Sequence, residues 1–206
     1  AASAAERPLI VRASPLFSSC VEAGARSYAA RAVRVGTGGA EPDVLVASDV
    51  EVTRALEVTA SGRVATAVGC LSIESPVRRL RGEAFDLSAM REVTALARER
   101  GIGLHLDGAR LFVAAAYSGR ALTEYASLFD TVYVSLWKCF NAAGGAVLAG
   151  PQSLLADLYQ VRRMFGGALW NAWPYAAVAA HFAEGYLDRL TRAVRISEEL
   201  IALLEA

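Results

Sequence analysis

Residues 104–119 read LHLDGARLFVAAAYSG. The apolar, strand-like run GIGLHL (101–106) ends abruptly in an acid, Asp107, and a cation, Arg110, follows three residues later. A carboxylate at the end of a buried strand loses its hydration unless a cation meets it. Either Arg110 is that partner and the pair is structural, or Asp107 faces a bound cation and belongs to a site. The residues on either side bear on the choice.

Strands and helices alternate around this stretch. PLIVRAS (8–14) and AVRVG (32–36) are strand-like, and SSCVEAGARSYAA (18–30) has helical spacing opened by serines that can cap it. TGGAEPD (37–43) is a turn cluster, and a helix is expected from Ser48 to about Ala60. RVATAVGCLSIES (63–75) is one long buried strand by its β-branched content. FDLSAMREVTALARERG (85–101) is the clearest helix, capped by Asp86 and stopped by Gly101. GIGLHLD is the next strand, and two short helices follow, the second around LTEYASL. DTVYVSLWK (130–138) is a strand ending in Lys138, and GGAVLAG (144–150) is another. From Pro151 the pattern is helical through YQVRRM, and after the loop FGGALWNAWP it continues as helix to the end of the chain. The strands read as apolar throughout, which predicts an α/β layer fold with a mainly parallel sheet flanked by helices.

Composition narrows the class. The 206 residues are 54% hydrophobic, enough for one large domain. Basic and acidic residues balance at 21 each, so no nucleic-acid footprint is expected, and RRLR (78–81) reads as a solvated turn. Three cysteines (Cys20, Cys70, Cys139) without CxxC spacing, and two histidines (His105, His181), predict neither a disulfide framework nor a metal centre; a reducing, cytoplasmic compartment is expected. No run has the length of a membrane span, AASAAERP (1–8) is not a signal peptide, and the missing initiator Met suggests a piece of something longer.

In parallel sheets ligands sit beyond the carboxyl ends of the strands. Glu74, Asp107 and Lys138 all fall at predicted strand ends. A lysine buried there needs a depressed pKa or a covalent partner that removes its charge. Pyridoxal phosphate (PLP) asks for such a lysine, and for an acid that keeps its ring nitrogen protonated. The spacing alone is a weak signal, and without further context a buried Asp–Lys or Asp–Arg ion pair is the favoured account of the same residues.

HLDGARLF (105–112), followed by VSLWKCFNAAGGAVLAG (134–150) and RRMFGGALWNAW (162–173), resembles the threonine aldolase family, in the β-eliminating lyase group of fold-type-I PLP enzymes. CLSIES (70–75) is similar to a strand-end stretch of that family, and the likeness runs from about Glu22 to about Pro174. The resemblance implies the aspartate aminotransferase fold, with residues 1–206 as a PLP-binding large domain incomplete at both ends. The helix at about 173–206 would lead toward a small domain absent from this sequence. It implies that Lys138 carries PLP, that Asp107 pairs with the ring nitrogen, and that Arg110 lies near the cofactor hydroxyl and holds the substrate carboxylate. Ser135 and Arg163 fall at phosphate-contacting positions, Arg163 across a dimer; Glu74 supports the site, and Phe17 stands where the family has a ring-stacking histidine. Read from the residues alone, Ser135 could bond locally, Arg163 could be a solvated helix charge and Phe17 could be core. His105 shares a face with Asp107 and is either its supporting partner or a satisfied core histidine, while His181 reads as structural. Trp137, Trp170 and Trp173 gather around the expected site, a grouping more typical of core.

Departures from the family are specific. Trp170 replaces an arginine after the GG loop, Cys139 replaces a glycine after the lysine, and VGTGGA (35–40) sits too late to be the phosphate-cradling turn. The expected activity is cleavage of the Cα–Cβ bond of a β-hydroxy-α-amino acid, releasing glycine and an aldehyde. The alternatives are β-elimination with the same Lys–Asp pair, or a non-catalytic relative serving as a structural or partner-binding domain. The implied partners are an amino acid substrate and further copies of the chain in a homodimer or homotetramer.

Overall fold

The computed structural model describes residues 9–11 (backbone only), 52–53, 56–57, 68–77, 82–156, 158–167 and 170–205. Among these residues five strands form one sheet: β1 (Leu9–Val11), β2 (Cys70–Glu74), β3 (Gly103–Asp107), β4 (Thr131–Ser135) and β5 (Ala146–Ala149). They lie in the order β1-β2-β3-β4-β5, the first four parallel and β5 antiparallel to β4. The helices are α1 (Leu87–Glu99), α2 (Leu111–Ser118), α3 (Leu122–Ala126), α4 (Leu136–Cys139), α5 (Gln152–Leu155), α6 (Leu158–Met164), α7 (Trp173–Ala183) and α8 (Tyr186–Glu205). Residues 52–53 and 56–57 are also helical, within the helix expected at 48–60. The strand and helix expected at 32–36 and 18–30 fall outside the described residues.

The expected mainly parallel sheet is present, but its strands alternate rather than being apolar throughout. Leu71 and Ile73, Leu104 and Leu106, and Val132 and Val134 point to one face, because adjacent strands pair in register and side chains alternate. Met90, Val93 and Ala97 of α1 pack onto that face, with Phe85, Leu111 and Phe129 around them. Burying each such Leu, Ile or Val contributes about 1.5–3 kcal/mol. The opposite face carries the rows Ser72–His105–Thr131 and Glu74–Asp107–Tyr133. Ser72, Glu74, Asp107 and Thr131 are nonetheless buried.

Helix α1 forms where its sequence predicts. The Asp86 carboxylate accepts the Ala89 N–H at 2.9 Å, and Gly101 closes the turn after Arg100 at φ 65°. Three boundaries differ from expectation. β2 begins at Cys70, with Val68 and Gly69 in irregular backbone before it. β4 ends at Ser135, and the chain turns at once into the single turn α4, closed by Phe140 N–H to Leu136 C=O at 2.8 Å. The long terminal helix is two helices, broken at Glu184 and Gly185, where Gly185 has φ 62°. Arg189 covers the break by donating to the carbonyls of Glu184 and Phe182 at 2.6 and 2.5 Å. α8 packs back on α2, where Tyr186 meets Phe112 edge-on, and Tyr186 also meets Phe140 at the end of α4 edge-on.

Candidate active site

Strands β3 and β4 run parallel as neighbours, so their carboxyl ends open on the same edge of the sheet. β3 delivers Asp107 to that edge, and β4 delivers Ser135 and, one turn later, Lys138. Glu74 arrives from β2 as the register partner of Asp107 and is buried on the same face.

Asp107 and Arg110 form no ion pair with each other. The Asp107 carboxylate instead accepts the Ala109 N–H at 3.2 Å, in the turn that leads into α2. Arg110, half-buried, is the residue from which α2 starts. Gly108 is required between them: a Cβ there would lie 2.9 Å from the Tyr133 carbonyl and 3.2 Å from Leu111 Cβ. This close approach folds the DGAR turn against β4. The Asp107 carbonyl accepts the Ser75 N–H at 3.2 Å, which ties the end of β2 to the same turn.

Ser135 is fully buried, and its hydroxyl has no hydrogen-bond partner among the described residues. The Tyr133 phenol lies near it without completing a bond of good geometry. Leaving a buried hydroxyl unpaired costs about 1–3 kcal/mol, so a polar group is wanted there. Burial pushes the Tyr133 phenol above its ordinary value, and the Asp107 charge adds to this against the lowering influence of Ser135.

Lys138 does not end a buried strand as expected. It is exposed on α4, with its ammonium 5.4 Å from the centroid of the Trp137 ring. Desolvation is therefore not what distinguishes this amine; its place on the turn beyond β4 is. Arg163 lies on α6, exposed, with its guanidinium 5.7 Å over Tyr159, so its described contacts are local. Phe17 lies outside the described residues. The three tryptophans are not core: Trp137, Trp170 and Trp173 are 58, 89 and 73% exposed, and Trp173 opens α7 instead of lying in the loop.

His105 is half-buried, with Nδ1 2.8 Å from Thr131 Oγ1, as a satisfied histidine should be. Burial lowers its pKa, and the nearby Asp107 charge opposes that shift. His181 is exposed near the end of α7, edge-on to Phe182. Cys70 and Cys139 are free thiols. One neighbour of the site, Tyr133, and one contact, that of Cys139, escaped the sequence reading. Tyr133 is the register partner of Asp107, and simple alternation from Ser135 would have placed it there. Cys139 donates to the Ala109 carbonyl at 3.6 Å, a contact across thirty residues that no local pattern announces.

The edge thus gathers an acid held by a backbone N–H, a second buried acid, an unpaired hydroxyl and an accessible amine. That set fits PLP, which presents a carbonyl, a ring nitrogen and a phosphate. Among the described residues no group of three or more His, Cys, Asp or Glu is placed to hold a metal. No described helix is long and apolar enough to cross a membrane.

The architecture is that of fold-type-I PLP enzymes. A family model described as beta-eliminating lyase matches residues 22–206, and the chain belongs to that family. A low-specificity L-threonine aldolase of Candida albicans is 33% identical over 111 residues, which is 54% of this chain and 30% of that one. The crystal structure of a putative L-allo-threonine aldolase from Listeria monocytogenes superposes with a TM-score of 0.73 at 25% identity, covering 91% of this chain and 48% of the other. The aspartate aminotransferase of Thermus thermophilus superposes at 0.62 with 16% identity over 97% of this chain and 51% of its own, a likeness of fold. The chain spans about half the length of these solved structures.

Proposed function

We propose that this chain is the cofactor-bearing part of a PLP-dependent aldehyde-lyase that splits a β-hydroxy-α-amino acid into glycine and an aldehyde. The observation that carries the reading is the shared edge: Asp107 and the turn bearing Lys138 leave adjacent parallel strands side by side. The likeness to L-threonine aldolases, at 33% identity, supports reading the reaction as aldol cleavage, with β-elimination by the same residues as the alternative.

PLP, when bound, supplies an aromatic electron sink for the pair left on Cα as the Cα–Cβ bond breaks. The chain's own residues divide the remaining work. Lys138 offers the amine that would hold the cofactor carbonyl, and its exposure leaves it open to exchange with a substrate amine. Asp107, oriented by the Ala109 N–H, would keep the ring nitrogen protonated by charge pairing. The Ser135 hydroxyl would gain its missing partner in the phosphate. Arg110 suits the substrate carboxylate through its forked donors. Glu74 would support the cofactor from the end of β2. Phe17 would stack on the ring, and Arg163 would reach the phosphate of a second copy in a homodimer or homotetramer. Residues 1–206 would then be the large domain, with α8 leading toward a smaller one.

The test is optical and catalytic. The chain mixed with PLP should develop a visible absorption band that Lys138→Ala abolishes, and L-threonine should release glycine. Asp107→Ala should keep the band and lower the rate at least about a hundredfold. A protein that stays colourless with excess PLP refutes the reading and favours a non-catalytic relative.

A further inference from the structure

Ala109 is bonded on both sides of its α-carbon. Its N–H donates to Asp107 Oδ1 at 3.2 Å, and its carbonyl accepts the Cys139 S–H at 3.6 Å. Ala109 and Cys139 are both buried. Cys139 is the residue after Lys138 and the last of the single turn α4. A one-turn helix has little stability of its own, so its position depends on what holds its end. Here Phe140 packs edge-on against Phe112 and Tyr186 at 5.1 and 5.0 Å, and the Tyr186 phenol lies against the Cys139 thiol. Successive helical residues point about 100° apart, so the turn can fix Cys139 inside and leave the Lys138 amine outside.

We propose that Cys139 is a positioning residue: through Ala109 it fixes the turn bearing Lys138 at a set distance from the Asp107 carboxylate. The inference rests on the roles given to Lys138 and Asp107 above. Burial raises the thiol's pKa against the cations Lys138 and Arg110, which keeps it an S–H donor at neutral pH. A glycine in its place would leave the Ala109 carbonyl without this donor.

Three variants of the full chain test it: Cys139→Ala removes the donor, Cys139→Ser restores one, and Cys139→Val replaces the alanine variant if that one does not fold. The first readout needs no cofactor. Hydrogen exchange at the Ala109 amide should accelerate about threefold or more in Cys139→Ala and return toward wild type in Cys139→Ser. The second is the pH midpoint of the visible band of the PLP-loaded chain, which reports the electrostatics between residues 107 and 138. It should move by about half a unit in Cys139→Ala and be restored in Cys139→Ser. An unchanged midpoint in Cys139→Ala overturns the proposal, even if exchange accelerates. A wild-type chain that never colours removes the cofactor reading instead. The exchange rates then still decide whether the thiol holds the Asp107 turn, and unchanged rates overturn the proposal.

Discussion

At the scale of single residues, His105 shows how a polar row inside a sheet is kept neutral. It lies between Ser72 and Thr131 across three strands, with its ring bonded to the Thr131 hydroxyl. Burial lowers its pKa below the ordinary 6.5, and Asp107 only partly offsets this. Well above pH 6.5 the ring is neutral in both folded and unfolded chains, and its contribution is constant. As pH falls below 6.5 the unfolded chain takes up the proton first, so folding stability drops until the lowered folded value is passed. Urea titrations at a series of pH values should show stability decreasing below pH 6.5, and His105→Gln should flatten that part of the slope. An unaltered slope in the variant would assign the acid sensitivity to carboxylates elsewhere. The sequence alone placed His105 and Asp107 on one face, because a period of two is fixed by strand geometry. It could not choose the partner of His105, since Thr131 is 26 residues away and meets it only through strand register.

At the scale of elements, the turn DGAR is where sequence and packing meet most tightly. Its acid was legible because a carboxylate after GIGLHL is costly without a purpose. Its glycine was not singled out, because the reason for it is the Tyr133 carbonyl on another strand. Gly108→Ala places a Cβ 2.9 Å from that carbonyl, against backbone that cannot rotate away. The variant should lose about 1–3 kcal/mol, read as a lower urea midpoint with an unchanged slope. Wild-type stability in Gly108→Ala would mean that the turn moves freely against β4. The end of β4 was misread for a related reason. Leu136 and Lys138 favour helix, but a three-residue preference is a weak signal against the β-branched run before it. What ends the strand at Ser135 is the anchoring of Phe140 and Cys139 beyond it, which a window of nine residues does not contain.

At the scale of the whole molecule, two apolar clusters share the work of packing among the described residues. One lies between the sheet and α1 and includes Leu104, Leu106, Met90 and Val93. The other gathers Cys139, Phe140, Ala142 and Ala179, with Phe112, Tyr175 and Tyr186 around them. The first was readable from hydrophobic spacing in α1 and the strands. The second was not, because it joins α2, α7 and α8 to the short stretch 139–142, segments far apart in sequence that no single hydrophobic period connects. This division predicts unequal responses to truncation. Phe140→Ala removes the ring on which Phe112 and Tyr186 converge, a change of the kind that costs about 3–5 kcal/mol in a core. Because that cluster holds the α7 and α8 ends, their amides should exchange faster by a larger factor than those of α1 and β3. Leu106→Ala, in the first cluster, should raise exchange in α1 and the central strands at least as much as in α7 and α8. If Phe140→Ala accelerates all amides equally, the two clusters unfold as one unit, and the terminal helices are bound to the sheet as firmly as α1 is.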